Sequence, residues 1–349
     1  MQINEILKSY FGYDSFRPNQ EAIIREVMQG HDCLVLMPTG GGKSLCYQVP
    51  ALAMEGTAVV ISPLISLMHD QVEALKANGI PAEALNSGND TTDELIIRRR
   101  CEKGELKLLY VSPEKLISEI PYLFSNIKIS LFAVDEAHCI SQWGQDFRPS
   151  YLKVPDFVRA LPHRPPVAAF TATATQQVRR DMIRLLELEE PYTLVTGYNR
   201  PNLRFVSVKP TSKPGYLLRY LEEADPDACG IVYCSTRKNV EDVCERLRQG
   251  GFSATRYHAG LTDEERRRNQ DDFKFDRARI MVATNAFGMG IDKADVRFVI
   301  HYNMPRDLES YYQEAGRAGR DGMPSECILL YSGQDVITNQ FFIEQAGEQ

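Results

Sequence analysis

Ten short apolar runs, each followed by a turn signal and a longer stretch of helical periodicity, constrain this chain more than any other feature. Five fall in its first half, at 33–37, 58–62, 108–112, 131–134 and 167–171, and five in its second, at 230–234, 254–258, 280–284, 298–302 and 327–331. Strands that are apolar almost throughout are covered on both faces, and alternation with helices supplies the cover. The pattern predicts an α/β fold with parallel sheets, and the two sets predict two domains in tandem, in keeping with a length of 349 residues. Between the sets, residues 197–216 hold three prolines and little apolar periodicity, which puts the division at 1–205 and 206–349. The first residues read as an amphipathic helix with Ile3, Ile6, Leu7 and Tyr10 on one face.

Bulk properties narrow the function classes. No run approaches the roughly eighteen apolar residues of a membrane span, and the N-terminus lacks the layout of a secretory signal. A cytoplasmic protein with reduced thiols is the expectation. With 40 basic against 47 acidic residues, coating of nucleic acid by bulk charge is disfavoured, although a groove needs only a local basic lining. The eight cysteines (Cys33, Cys46, Cys101, Cys139, Cys229, Cys234, Cys244 and Cys327) form no C-x-x-C pair. Several lie in apolar runs, so they read as core residues and no zinc site is expected.

The segment CLVLMPTGGGKSLCYQ runs strand, glycine-rich loop, helix. Gly40, Gly41 and Gly42 let backbone N–H groups close around an anion, and the helix N-terminus adds its dipole. Lys43 is suited to β- and γ-phosphates and the Ser44 hydroxyl to Mg²⁺. The generic pattern wants glycine where Met37 stands. In LFAVDEAHC, an apolar strand delivers Asp135 and Glu136 to its C-terminal end, where ligands bind in open α/β sheets. Asp135 suits Mg²⁺, and Glu136 suits orienting and deprotonating an attacking water. In YYQEAGRAGRDG, Arg317 and Arg320 are three apart, which predicts one helix face. Two such cations suit the charge that develops on a transferring phosphoryl group.

In this order the motifs resemble those of superfamily 2 helicases, and in particular the RecQ family of DNA helicases. The resemblance implies two RecA-like domains with an ATP cleft between them. It extends over FGYDSFRPNQ, ISPLISLMHDQV, YVSPEKL, DEAHCISQWGQDFRPSY, AFTATAT, VYCSTRK, YHAGL and VATNAFGMGIDKADVRFVIHYNMP. It implies that Tyr13 and Arg17 sandwich an adenine and that Gln20 bonds its edge, in keeping with the stacking that aromatic and guanidinium planes provide. Thr39, Gly290 and Asp292 join the implied nucleotide set. Asn19, His69 and Ala294 stand where the family pattern has glycine, lysine and proline.

By the same resemblance, DEAHCISQWGQDFRPSY includes an aromatic loop that senses single-stranded DNA. Its implied DNA-facing residues are His138, Gln142, Trp143, Phe147 and Arg148, with base stacking on Trp143. Ser62, Pro63, Ser112, Ser235, His258 and Thr284 would follow the nucleic-acid backbone, as strand-end hydroxyls and amides suit phosphate contacts. The implied protein is a monomeric 3′–5′ DNA helicase using ATP and Mg²⁺ on single strands and single-strand/duplex junctions. Relatives in the family usually continue into a zinc subdomain and a winged helix, and this chain stops at Gln349. Two alternatives stay open on sequence alone: an RNA helicase or non-unwinding translocase, and a nucleotide-regulated scaffold without turnover.

Overall fold

The computed structural model describes residues 2–38, 40–119, 127–144, 146–196, 200–287, 293–337 and 340. The chain divides into two units, Met1–Tyr198 and Asn199–Gln349. In the first, seven parallel strands form one sheet: β1 Cys33–Leu36, β2 Thr57–Ile61, β3 Ala82–Leu85, β4 Leu108–Val111, β5 Ile129–Val134, β6 Val167–Thr171 and β7 Tyr192–Val195. Their order across the sheet is β3-β4-β2-β5-β6-β1-β7. Side chains alternate faces along a strand, and the core divides accordingly. Leu34, Val59 and Leu109 pack on one side with Phe157, Val178 and Met182, while Cys33, Val35, Ala58 and Val60 pack on the other with Ile23, Tyr47 and Met68.

The second unit holds a six-stranded parallel sheet of β8 Leu203–Val208, β9 Cys229–Tyr233, β10 Ala254–Tyr257, β11 Ile280–Ala283, β12 Val296–His301 and β13 Ser325–Leu330. Its order is β10-β11-β9-β12-β13-β8. All ten runs picked out above are strands. The three strands not anticipated, β3, β7 and β8, each lie at a sheet edge. An edge strand need not be apolar throughout, and β7 alternates half-buried with exposed residues. β8 falls inside the segment read as a linker, yet it pairs with β13 from Leu203 to Val208. Residues 203–205 therefore belong with the second sheet, and the division lies a few residues before 205/206.

The first helix, Ile3–Phe11, buries Ile3, Ile6 and Leu7 and is closed by a capping box between Gln2 and Glu5. Tyr10 is half-buried against the same cluster. At the N-terminal end of β1 lies Asp32, which sequence reasoning did not single out. Its buried carboxylate accepts from both Arg164 guanidinium nitrogens at 3.0 and 2.6 Å, from Val167 N at 2.8 Å and from Glu189 N at 2.7 Å. It ties the start of β1 to the start of β6. All eight cysteines are buried and free. Among the described residues no helix is long and apolar enough to cross a membrane.

Candidate active site

In the first unit the C-terminal ends of five neighbouring strands bring the expected residues to one edge. Across β4, β2, β5 and β1 these are Ser112, Ser62, Asp135 and the glycine loop that follows Leu36, and β6, between β5 and β1, adds Thr171, which was not singled out in the sequence. The loop turns through Gly40 and Gly42, both at φ 81°, where an L side chain is strained. At Gly41 a Cβ would lie 2.9 Å from the Pro38 carbonyl oxygen. The helix Leu45–Ala53 starts with Ser44 as N-cap, and the Ser44 hydroxyl makes no cap bond. Lys43 Nζ donates to Met37 O at 3.3 Å, curling back over the loop's entry.

Arg17 and Gln20 sit beside this loop. The Arg17 guanidinium donates to Gly40 O, and Gln20 Nε2 donates to Gly42 O at 3.0 Å. Gln20 Oε1 accepts the Arg17 N–H at 2.8 Å, so both ends of the Gln20 amide are engaged by the protein. Tyr13 stands 53% exposed. Thr39, Gly290 and Asp292 lie outside the described residues.

Asp135 N donates to Ile61 O at 2.8 Å, and the Tyr151 hydroxyl donates to Asp135 O at 2.9 Å. The next residue, Glu136, is left-handed at φ 47°, ψ 43°, a conformation that costs a non-glycine residue about 1–2 kcal/mol. Its backbone N–H donates to Asp135 Oδ1 at 3.0 Å. Burial, and after it the adjacent Glu136 carboxylate, push the Asp135 carboxyl up to about 7, against the opposing pull of Lys43. The site is short of positive charge, and a divalent cation would supply it.

Behind the acidic pair, His138 is buried with Nδ1 2.8 Å from Thr171 Oγ1. Because that hydroxyl donates to Thr173 O at 3.1 Å, it accepts from His138, and Nδ1 carries the proton. The end of β6 is thereby bonded to the acidic segment, a link the sequence carries only as a histidine and a threonine 33 positions apart. Trp143 is 74% exposed. Gln142 is exposed, and Phe147 and Arg148 are half-buried. Arg148 NH1 donates to Pro63 O at 3.0 Å, joining the aromatic loop to the end of β2. The Ser62 hydroxyl is buried without a hydrogen-bond partner, while Ser112 Oγ accepts the Lys115 N–H at 3.3 Å.

The second unit repeats the arrangement. His258, Thr284 and Ser235 follow β10, β11 and β9, three neighbouring strands. Gly260 N donates to His258 Nδ1 at 3.1 Å, so Nε2 carries the proton toward Glu241 Oε1, 2.7 Å away. Asn303 Oδ1 accepts the Ser235 N–H at 3.1 Å.

The helix expected to carry Arg317 and Arg320 is corrected. It runs Leu308–Ala315 and ends at Gly316, and the two arginines lie in the turns beyond it. Gly316 and a left-handed Gly319 at φ 54° break the helix where spacing alone continued it. Arg200, which sequence reasoning missed, donates to the carbonyls of Gly316, Ala318 and Gly319 at 3.3, 3.0 and 2.8 Å. Asn202 Nδ2 adds bonds to Gly319 O and Met323 O. The RPN cluster in the supposed linker was the available signal. Cys229, Asp276 and Asp295 lie close enough to share a cation, but Lys293 Nζ already stands 2.7 Å from Asp276 and 3.1 Å from Asp295.

Comparisons with known proteins agree with this layout. Residues 17–181 match the family model described as DEAD/DEAH box helicase, and residues 212–322 match the helicase conserved C-terminal domain. The chain is similar to the ATP-dependent DNA helicase RecQ of Bacillus subtilis, 48% identical over 98% of this chain and 58% of that protein. It is similar also to that of Pasteurella multocida, 48% identical over 95% of this chain and 52% of that protein. The chain thus spans little more than half the length of these relatives. Among solved structures, Saccharomyces cerevisiae Dbp5 bound to RNA and ADP BeF3 shares the fold with a TM-score of 0.75 at 19% identity, over 98% of this chain and 90% of that one. Mycobacterium smegmatis helicase Lhr bound to ssDNA and AMP-PNP does so with a TM-score of 0.74 at 19% identity, over 97% of this chain and 48% of that one.

Proposed function

The chain belongs to the RecQ family of helicases, and from that premise we propose that it is an ATP-driven motor on single-stranded DNA. The observation that carries the reading is the crowding of one sheet edge: the glycine loop, the charge-deficient Asp135 and Glu136, and the exposed Trp143 seven residues further on. Ser44 and Asp135 would hold Mg²⁺, which supplies positive charge to the phosphates when bound. Lys43 and the loop amides bind the β- and γ-phosphates, and Tyr13, Arg17 and Gln20 face the base. Glu136 takes the proton of the attacking water. Arg317 and Arg320 offset the charge that develops on the transferring group.

On the nucleic-acid side, Gln142, Trp143, Phe147 and Arg148 meet bases and phosphates. Ser62, Pro63, Ser112, Ser235, His258 and Thr284 follow the strand's backbone, and His138 carries the strand's presence to the acidic pair. Movement is 3′ to 5′, by analogy with the family. The motor works as a monomer at single-strand/duplex junctions, in DNA repair or recombination in the cytoplasm. The test is phosphate release by this chain with saturating single-stranded DNA, with RNA of the same sequence, and with neither. DNA alone is expected to raise turnover, and Lys43→Ala to abolish it. Turnover indifferent to DNA, or raised equally by RNA, would overturn the reading.

A further inference from the structure

Trp143 faces water, so burial does not hold its loop in shape. The shape is set from beneath. Ser141 is fully buried. Its hydroxyl donates to Asp181 Oδ2 at 2.7 Å and accepts the Trp143 N–H at 3.2 Å, and its carbonyl accepts the Gly144 N–H at 3.0 Å. Asp181 is 4% exposed, on the helix Gln176–Leu185. Its other oxygen accepts from Gln177 Nε2 at 3.3 Å and from Arg184 NH2 at 3.0 Å. Three donors thus fix a buried carboxylate under the loop.

The helix that carries Asp181 follows β6, whose last residue, Thr171, is bonded to His138. One strand–helix segment, 171–181, therefore grips the chain after the acidic pair at two points. Thr171 takes His138, two residues beyond Glu136, and Asp181 takes Ser141, two residues before Trp143. The Asp135 backbone is held independently, by Ile61 O and the Tyr151 hydroxyl. Loss of the Ser141–Asp181 bond would remove the side-chain hold on the base of the Trp143 loop and leave these two Asp135 bonds in place.

We propose that Asp181, acting through Ser141, is a positioning residue that sets the Trp143 loop so that a bound single strand accelerates hydrolysis. The proposal rests on the functional reading above and adds a residue outside the nucleotide and strand contacts. Trp143 is the chain's only tryptophan, so its emission reports on this loop alone. The experiment takes the full chain with Asp181→Asn, Ser141→Ala and both together, and measures basal turnover, turnover with saturating oligothymidylate, and Trp143 emission with and without DNA.

Basal turnover is expected within about twofold of the parent, while DNA stimulation falls roughly tenfold, within the range that a lost base stack spans. The DNA-induced change in emission is lost with it. The double variant is expected to be no worse than the poorer single, because both cut one connection. Folded variants that keep stimulation and the emission change overturn the proposal. So do basal and stimulated rates that fall in parallel, or losses that add. Should Asp181→Asn fail to fold, Ser141→Ala, which removes only a hydroxyl, decides alone. A parent chain without DNA stimulation overturns the functional reading and this proposal with it, and that result is visible before any variant is made.

Discussion

Asp32 and Asp135 sit at opposite ends of the same parallel sheet, in opposite surroundings. Asp32 has an arginine fork and two backbone N–H groups on its carboxylate. Asp135 has the N–H of its neighbour, a second carboxylate one residue away, and a lysine whose ammonium is bonded to a loop carbonyl instead. The chain neutralises the carboxylate that ties two strands together and leaves the other one wanting a cation. At the second site Glu136 is left-handed, a strain tolerated where a side chain must be aimed. The buried Asp32, fully satisfied by its own fold, is architecture, and the half-buried Asp135, left short, is free to take a cation.

The largest effect on this comparison belongs to Asp32→Ala. It takes the carboxylate partner from Arg164 and the acceptor from the buried Val167 N–H and the Glu189 N–H, and should cost about 3 kcal/mol in denaturant unfolding. A loss near zero would mean that Asp32 is dispensable and the contrast is false. Asp135→Asn should go the other way. Its folded carboxyl, near 7 instead of 3.8, favours the proton, so its contribution to stability is full below about 4 and is lost as pH rises toward 7. The neutral amide escapes that loss. In the absence of nucleotide, the variant should melt roughly 2–4 °C above the parent at pH 8, a gain that vanishes toward pH 4. Its ATP turnover should be abolished. A lower melting point at pH 8 would show that Asp135 is already satisfied. Smallest is Glu136→Gly, which relieves the left-handed penalty and should raise stability by up to about 1 kcal/mol while hydrolysis stops. A destabilised variant would show that the Glu136 side chain holds the turn.

How much of this was legible in the sequence follows from distance along the chain and depth in the sheet. Central strands such as β1 and β9 are apolar throughout because helices cover both faces, so the runs alone revealed them. β8 has exposed Arg204 and Phe205 at a sheet edge, and its signal resembles a linker's. The glycine loop and the Asp135–Glu136 pair were legible because their chemistry needs contiguous residues. Arg200 shapes the arginine turn from more than a hundred positions away, and Asp32 meets Arg164 across 132. The RPN cluster is the only local hint of the first pair, and no local pattern announces the second. The helix predicted through Arg317 failed on a signal that was present, since Gly316 and Gly319 are the residues at which a helix stops.

The eight buried cysteines have a consequence for labelling chemistry. Burial pushes their thiols up, that of Cys229 to about 11 and those of Cys33, Cys46, Cys101 and Cys327 to about 12. At neutral pH these sulfurs are neither ionised nor reachable, so an alkylating dye should ignore the folded protein. A cysteine placed on the surface would then be the one reactive handle in an otherwise wild-type background. Without such a handle, the rate at which dye accumulates would count openings of the fold.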